Sequence, residues 1–101
     1  MTRITFIFSK KAQMRYISHL DLMRLLTRAM RRAGLPLRMT QGFNPHPRLS
    51  LKRALKLGVE SESESASILL EEDMEAEEFM DRLTKQLPEG IEIKHAQRDI
   101  N

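Results

Sequence analysis

The sequence predicts an α+β fold of the ferredoxin-like type, a βαββαβ sandwich in which an antiparallel sheet carries two helices on one face. Three observations lead to this prediction. Period-two alternation of apolar and polar residues opens and closes the chain, and two segments between have helical periodicity. The patterns follow one another as strand, helix, strand, strand, helix, strand. The length of 101 residues suits one domain, so we expect a single domain over residues 1–101.

Four strands are predicted from alternation. The first covers residues 4–9, where an apolar residue occupies every second position. The second covers residues 49–57, with leucines on one face, and ends at a glycine. The run of Glu and Ser at 60–65 reads as a solvated loop, after which strands are predicted at 66–70 and 91–94. The sheet face away from the helices is expected to stay open.

Both predicted helices have recognisable ends. Ser18 is a favourable N-cap with Asp21 three positions later, and Gly34 ends the first helix. Asp73 is the expected cap of the second helix, which stops at residues 88–90. One face of the first helix is apolar, whereas the other face carries Arg24, Arg28, Arg31 and Arg32.

Charge is distributed unevenly along the chain. Residues 1–58 contain thirteen Lys or Arg and one acid, a net charge of +12, whereas residues 59–101 contain four bases and thirteen acids, a net charge of −9. This asymmetry predicts a polyanion-binding face or a head-to-tail attraction between copies, and so a homodimer, although a merely solvated face is also consistent with it. Arginine predominates over lysine in the basic half, which suits bidentate contacts with phosphate.

Composition argues against several classes of protein. The chain has no cysteine to form a disulfide or to hold a zinc ion or an iron–sulfur cluster through thiolates. Its glycines are dispersed, so no nucleotide-binding glycine loop is present. The three histidines are far apart in sequence, and we predict no metal site. The apolar run near the N-terminus is too short for a signal peptide, which favours a cytoplasmic protein.

Four segments carry a family resemblance. They are FSK at 8–10, RYISHLDLMRLLTRAMRRAGLPL at 15–37, QGFNPHPRLSL at 41–51 and LGVESESE at 57–64. Together they resemble the radical-SAM-linked domain of unknown function, a bacterial family found beside or fused to radical SAM proteins. The resemblance implies that the chain is the N-terminal part of that domain, shortened at its C-terminus. It also implies a radical SAM partner, which would hold the iron–sulfur cluster and S-adenosylmethionine, with no cofactor in this chain.

The motif positions of that family define a candidate site. They are Ser18, His19, Leu20, Asp21, Gly42, Phe43, Asn44, Pro45, His46 and Pro47. Prolines restrict the loop backbone, so we expect the loop to hold its side chains rigidly near the start of the first helix. With the arginines added, the expected binding residues are Ser18, His19, Asp21, Arg24, Arg28, Arg31, Arg32, Phe43, Asn44 and His46.

Three functions are consistent with these residues. The first is an accessory module that binds a substrate, RNA or RNA-linked, for a radical SAM enzyme and has no catalytic activity by itself. The second is a protein–protein docking domain for the radical SAM partner. The third is a metal-free RNA-processing enzyme, for which the candidate catalytic residues are His19, Asp21 and His46.

Overall fold

Four antiparallel strands and two α-helices form the part of the chain that the structure, a computed structural model, describes: residues 1–54 and 56–99. The elements are β1 (Thr2–Lys10), a 3-10 turn (Ala12–Tyr16), α1 (His19–Arg32), β2 (Leu49–Leu51), β3 (Ser61–Leu70), α2 (Ala76–Thr84) and β4 (Ile91–Arg98). Within these residues no helix is long and apolar enough to cross a membrane.

The sheet has the order β2-β3-β1-β4, with every neighbouring pair antiparallel. The first strand is therefore central, and Phe6 lies opposite Ala66 on one side and Ala96 on the other. This order and the βαββαβ sequence of elements confirm the predicted ferredoxin-like arrangement.

The core lies between the sheet and the two helices. Inward side chains of β1, chiefly Ile4, Phe6 and Phe8, are completely buried. From α2, Phe79 packs on Phe6 with ring centroids 5.4 Å apart. From α1, Leu22, Leu26, Ala29 and Met30 are buried, as the helical stripe predicts. Burial of these side chains fixes which face of α1 remains available to solvent.

The ends of α1 follow the predicted capping pattern. Ser18 Oγ accepts a hydrogen bond from the Asp21 amide at 3.1 Å, so the helix begins at His19. At the other end Gly34 has a φ of +70°, a left-handed conformation that favours glycine. Arg82 of α2 donates to the carbonyls of Ala33 and Gly34 at 3.0 and 2.7 Å. This guanidinium therefore caps α1 and joins the two helices.

The predicted strand at 49–57 is wrong at residues 52–54 and 56–57. Strand β2 ends at Leu51 because its ladder with β3 stops there, at the pair of Leu51 with Ala66. The chain then turns, Arg53 reaches back to Glu64, and the side chain of Leu57 is 65% exposed. The remainder of the prediction includes Leu55, which lies outside the described residues.

The predicted solvated loop at 60–65 is also wrong over most of its length. Strand β3 begins at Ser61, and its polar residues pair with β1, with Ser65 opposite Ile7 and Glu64 opposite Phe8. Pairing with a central strand supplies the backbone hydrogen bonds, so this segment forms a strand without an apolar pattern of its own.

Helix α2 begins later than predicted and β4 extends further. The N-cap of α2 is Glu75, whereas the expected cap Asp73 accepts a hydrogen bond from the hydroxyl of Thr2. That hydrogen bond, with Arg98 nearby, lowers the pKa of Asp73. Asp73 thus anchors the segment before α2 to the start of β1.

Candidate functional site

The solvent face of α1 is bordered by two cavities. We call the first, of about 490 Å³, the β2-side cavity. It is lined by His19, Leu20, Met23, Arg24, Thr27, Arg28, Arg31, His46, Pro47 and Leu49. We call the second, of about 560 Å³, the interhelix groove. It is lined by Ile17, Asp21, Arg24, Leu25, Arg28, Ala29, Arg32, Lys85, Gln86, Leu87 and Pro88.

The helix wall of the β2-side cavity follows from helical spacing. His19, Met23, Thr27 and Arg31 are four residues apart, so they lie on one face of α1. On the opposite side, Leu49 comes from β2 and contributes apolar surface. The arrangement combines apolar side chains with arginines, which is typical of a pocket for a ligand with a flat apolar part and a negative charge.

The Gly42–Pro47 loop is closed at its base by hydrogen bonds. The Thr40 amide donates to the His46 carbonyl at 2.8 Å, and the His46 amide donates to Thr40 Oγ1 at 3.2 Å. An isolated bridge between Met39 and Pro47 extends this closure. These contacts place His46 and Pro47 at the mouth of the β2-side cavity.

The two histidines of the loop and the helix face the same cavity. His19 is the first residue of α1, and its Nδ1 atom is buried with no hydrogen-bond partner among the described residues. His46 Nδ1 lies 3.1 Å from the Pro47 carbonyl, which leaves Nε2 as its other polar atom. The described residues show no hydrogen bond between the two rings, so the imidazoles line the cavity as separate groups.

Arg24 and Arg28 line both cavities. They therefore form a cationic ridge between them, which Arg31 extends on the β2 side and Arg32 on the other. Arg24 lies 3.5 Å from the carboxylate of Asp21, whereas Arg28 and Arg31 have no ion pair within residues 1–54 and 56–99. No Asp or Glu occurs anywhere between residues 22 and 59, so this surface has few acids to neutralise it.

The structure brings together only some of the predicted site residues. His19, Arg24, Arg28, Arg31 and His46 share the β2-side cavity. Asp21 and Arg32 lie in the interhelix groove, Ser18 is the N-cap of α1, and Phe43 and Asn44 are exposed on the loop. Asp21 therefore lies on the opposite flank of α1 from the cavity that His19 and His46 line.

A buried polar cluster at the far end of β1 was not foreseen. Lys10 and Glu64 are only 1% and 2% exposed. Arg53 donates to the two carboxylate oxygens of Glu64 at 2.9 and 2.6 Å, Ser61 also donates to it, and Lys10 Nζ donates to the Lys56 carbonyl at 3.0 Å. The hydrogen bonds from Arg53 lower the pKa of Glu64, and burial lowers the pKa of Lys10.

This cluster serves to hold the chain after β2 against the sheet. Each charged group in it already has a partner within the protein, in contrast to Arg28 and Arg31. The sequence feature that could have revealed this cluster is the position of Glu64, which continues the inward alternation of Ala66, Ile68 and Leu70.

Among the described residues, no group of three or more His, Cys, Asp or Glu is placed to hold a metal ion.

Comparison with known proteins identifies the family of this chain but does not identify a reaction that it catalyses. No curated protein matches the chain significantly. A family model for uncharacterized proteins conserved in bacteria, DUF2344, matches residues 3–99. That match includes both cavities, the loop and, apart from Thr2, the whole of the sheet. The chain therefore belongs to the bacterial DUF2344 family.

Proposed function

We propose that this domain is an accessory binding module that holds a single-stranded RNA or an RNA-linked substrate on α1 for a radical SAM enzyme. The observation that carries the proposal is the pair of exposed guanidinium groups, Arg28 and Arg31, which have no carboxylate partner in the described residues and border an apolar cavity. The radical SAM partner rests on the sequence resemblance alone, and its cluster and S-adenosylmethionine would belong to that partner.

Arginines at this spacing suit a chain of phosphates. Arg24, Arg28 and Arg31 lie along about 10 Å of helix axis, at a rise of about 1.5 Å per residue. A guanidinium group offers a planar fork of donors that matches phosphate oxygens in a bidentate contact. A stripe of this kind supports contact with successive phosphates rather than with one isolated anion.

The β2-side cavity supports a substrate with exposed bases. Its volume of about 490 Å³ falls within the usual range for small-ligand sites. Met23, Leu49 and Pro47 supply apolar walls, and Thr27 and the imidazoles supply polar atoms. Single strands present unpaired bases that protein pockets recognise in this way, whereas a duplex keeps its bases stacked inside.

Salt-dependent binding tests the phosphate contacts. We expect the logarithm of the binding constant for a fluorescently labelled 12-nucleotide single-stranded RNA to fall with the logarithm of the salt concentration, with a slope of about −2. Each phosphate contact with a single strand contributes about −0.7, and Arg24, Arg28 and Arg31 would make three such contacts. The double substitution Arg28→Gln and Arg31→Gln should reduce the slope to about −0.7 and weaken binding at low salt. Anisotropy titrations at several salt concentrations measure both values.

Arg3→Gln is the matched control. Arg3 is exposed and alternates with the core residue Ile4, so its side chain lies on the sheet face away from α1. The control should keep the wild-type slope, and all variants should keep the wild-type melting temperature. Undetectable RNA binding at low salt would contradict the proposal. If the wild type then bound a purified radical SAM protein and the double variant did not, the docking function would replace it.

A second candidate is favoured by the shared position of His19 and His46. Both imidazoles line the cavity that three arginines border. In this candidate reaction one ring would remove the proton of a 2′-hydroxyl group as its oxygen attacks the adjacent phosphorus, and the other ring would protonate the leaving 5′-oxygen. Cleavage would leave a 2′,3′-cyclic phosphate. Incubation of the same RNA in EDTA tests it, because cleavage lost in both His19→Ala and His46→Ala would support an enzyme and intact RNA would exclude it.

A further inference from the structure

Phe43 differs from every other aromatic residue of the chain. Phe6, Phe8 and Phe79 are completely buried in the core, and the ring of Tyr16 has the Arg15 guanidinium 4.6 Å from its centroid. Phe43 has a relative exposure of 104%, so its ring makes no appreciable contact with the protein. The whole apolar surface of this ring is therefore available to be covered by a ligand.

The backbone around Phe43 restricts where the ring lies. The loop is closed by the two hydrogen bonds between Thr40 and His46, and the Arg48 amide donates to the Arg38 carbonyl just outside it at 3.0 Å. Two prolines, at 45 and 47, limit the backbone further. Because the loop is already ordered, covering the ring costs little additional conformational entropy.

The surroundings of the ring indicate which kind of ligand covers it. The loop that carries Phe43 also supplies His46 to the cavity bordered by Arg24, Arg28 and Arg31. The chain from residue 22 to residue 59 contains nine Lys or Arg and no acid. An apolar partner protein would need an acidic surface to match these charges, whereas a nucleic acid strand supplies negative phosphates and flat rings together.

We propose that Phe43 is a stacking platform for an unpaired base of the bound RNA, next to the base or sugar that enters the β2-side cavity. This inference rests on the proposed function, because it requires the strand to lie along α1. Stacking on phenylalanine is tolerant of base identity, since every base has a flat π-face. Phe43 would therefore add affinity for single strands without a preference for sequence.

The test separates stacking from phosphate contact by means of two probes of equal charge. One is the labelled 12-nucleotide RNA, and the other is a 12-residue abasic strand with the same phosphates. Wild-type protein should bind the RNA more tightly than the abasic strand. Phe43→Ala should lose about 5- to 150-fold of its affinity for the RNA and none for the abasic strand. It should also keep the wild-type salt slope, because no phosphate contact is lost.

A second variant gives a direct signal. The chain has no tryptophan, so Phe43→Trp introduces a single tryptophan, which can be excited separately from Tyr16, at the proposed contact. We expect this variant to retain the preference for RNA over the abasic strand and its fluorescence to be quenched when RNA binds. Equal melting temperatures of the wild type and both variants would show that the loop substitutions leave the fold intact.

Different failures have different meanings. If Phe43→Ala keeps wild-type affinity for RNA while the Arg28→Gln and Arg31→Gln double variant loses it, base stacking is wrong and phosphate binding stands. If the wild type binds neither strand, the proposed function itself fails. If the Phe43→Trp fluorescence responds to a purified radical SAM protein and not to RNA, the ring belongs to a protein interface and the stacking inference is overturned.

Discussion

Two clusters of positive charge in this domain differ in what they contact. At one end of the sheet, Arg53 pairs with the buried carboxylate of Glu64 and Lys10 donates to the Lys56 carbonyl, so both cations already have partners within the protein. Along α1, Arg28 and Arg31 are exposed and have no ion pair in the described part of the chain. The basic half of the sequence therefore contains two kinds of cation. One kind stabilises the structure, and the other remains available to a ligand.

The largest loss of stability should come from removing the carboxylate of the buried cluster. Glu64→Ala removes the buried acceptor of hydrogen bonds from Arg53 and Ser61, together with the negative charge near Lys10, which costs about 3 kcal/mol. Urea denaturation measures the free energy of unfolding. Glu62→Ala on the same strand is the control, because its carboxylate is exposed and its one ion pair within residues 1–54 and 56–99 is with Lys11. Equal losses for both variants would contradict a structural role for the cluster.

A smaller loss should come from the guanidinium group that joins the two helices. Arg82→Met removes two hydrogen bonds to the C-terminal carbonyls of α1 and a favourable interaction with the helix dipole, together about 1–3 kcal/mol. Lys85→Met, one residue past α2 and in an exposed pair with Asp81, should have a much smaller effect. Thermal denaturation of both variants measures the difference, and a stable Arg82→Met protein would show that the cap is dispensable.

The smallest effect in this comparison is a dependence on pH. Hydrogen bonds from Arg53 lower the pKa of Glu64 below its ordinary value of 4.5. A carboxyl group with a lowered pKa in the folded state contributes stability above that ordinary value, and the contribution is lost as pH falls through the folded pKa. Wild type should therefore lose stability between about pH 5 and pH 3 more steeply than Glu64→Gln.

Two further groups bear on that measurement. Asp73 and Glu62 also have a lowered pKa, through Thr2 and Lys11 respectively, and both remain in the variant. The difference between the two pH profiles therefore isolates Glu64. The lowered pKa of Lys10 acts only at alkaline pH, where loss of its proton relieves the burial cost. If the free energy of unfolding fell equally steeply in wild type and Glu64→Gln as the pH was lowered, Glu64 would not be the source of the pH dependence.

The sequence predicted those parts of the fold in which local pattern and tertiary packing agree. The bounds of α1 follow from Ser18 and Gly34, and the alternation of β1 matches its buried residues. The wrong predictions concern segments whose secondary structure depends on pairing with a neighbouring strand. Leu57 continues the alternation of β2 but has no partner strand among the described residues, whereas the polar residues of β3 lack an apolar pattern and yet pair with β1.

The candidate site was predictable to a similar extent. Helical spacing alone places Arg24, Arg28 and Arg31 on the solvent face of α1. It does not show that Leu49 and Pro47 close a cavity beside them, because those residues reach α1 only through the sheet and the loop. For the same reason the sequence could not separate Asp21 from His19, which lie on different flanks of one helical turn.

The central position of β1 has a consequence for synthesis of the protein. This strand is made first, but both of its neighbours, β3 and β4, come much later in the chain. The ribosome adds about 5–20 residues per second, so several seconds pass between the synthesis of Ile4, Phe6 and Phe8 and the synthesis of β3, the first of the two partner strands. Contacts so distant in sequence also slow folding. The nascent chain is therefore at its greatest risk of aggregation before residues 61–70 emerge, when α1 is already complete and its arginines are accessible.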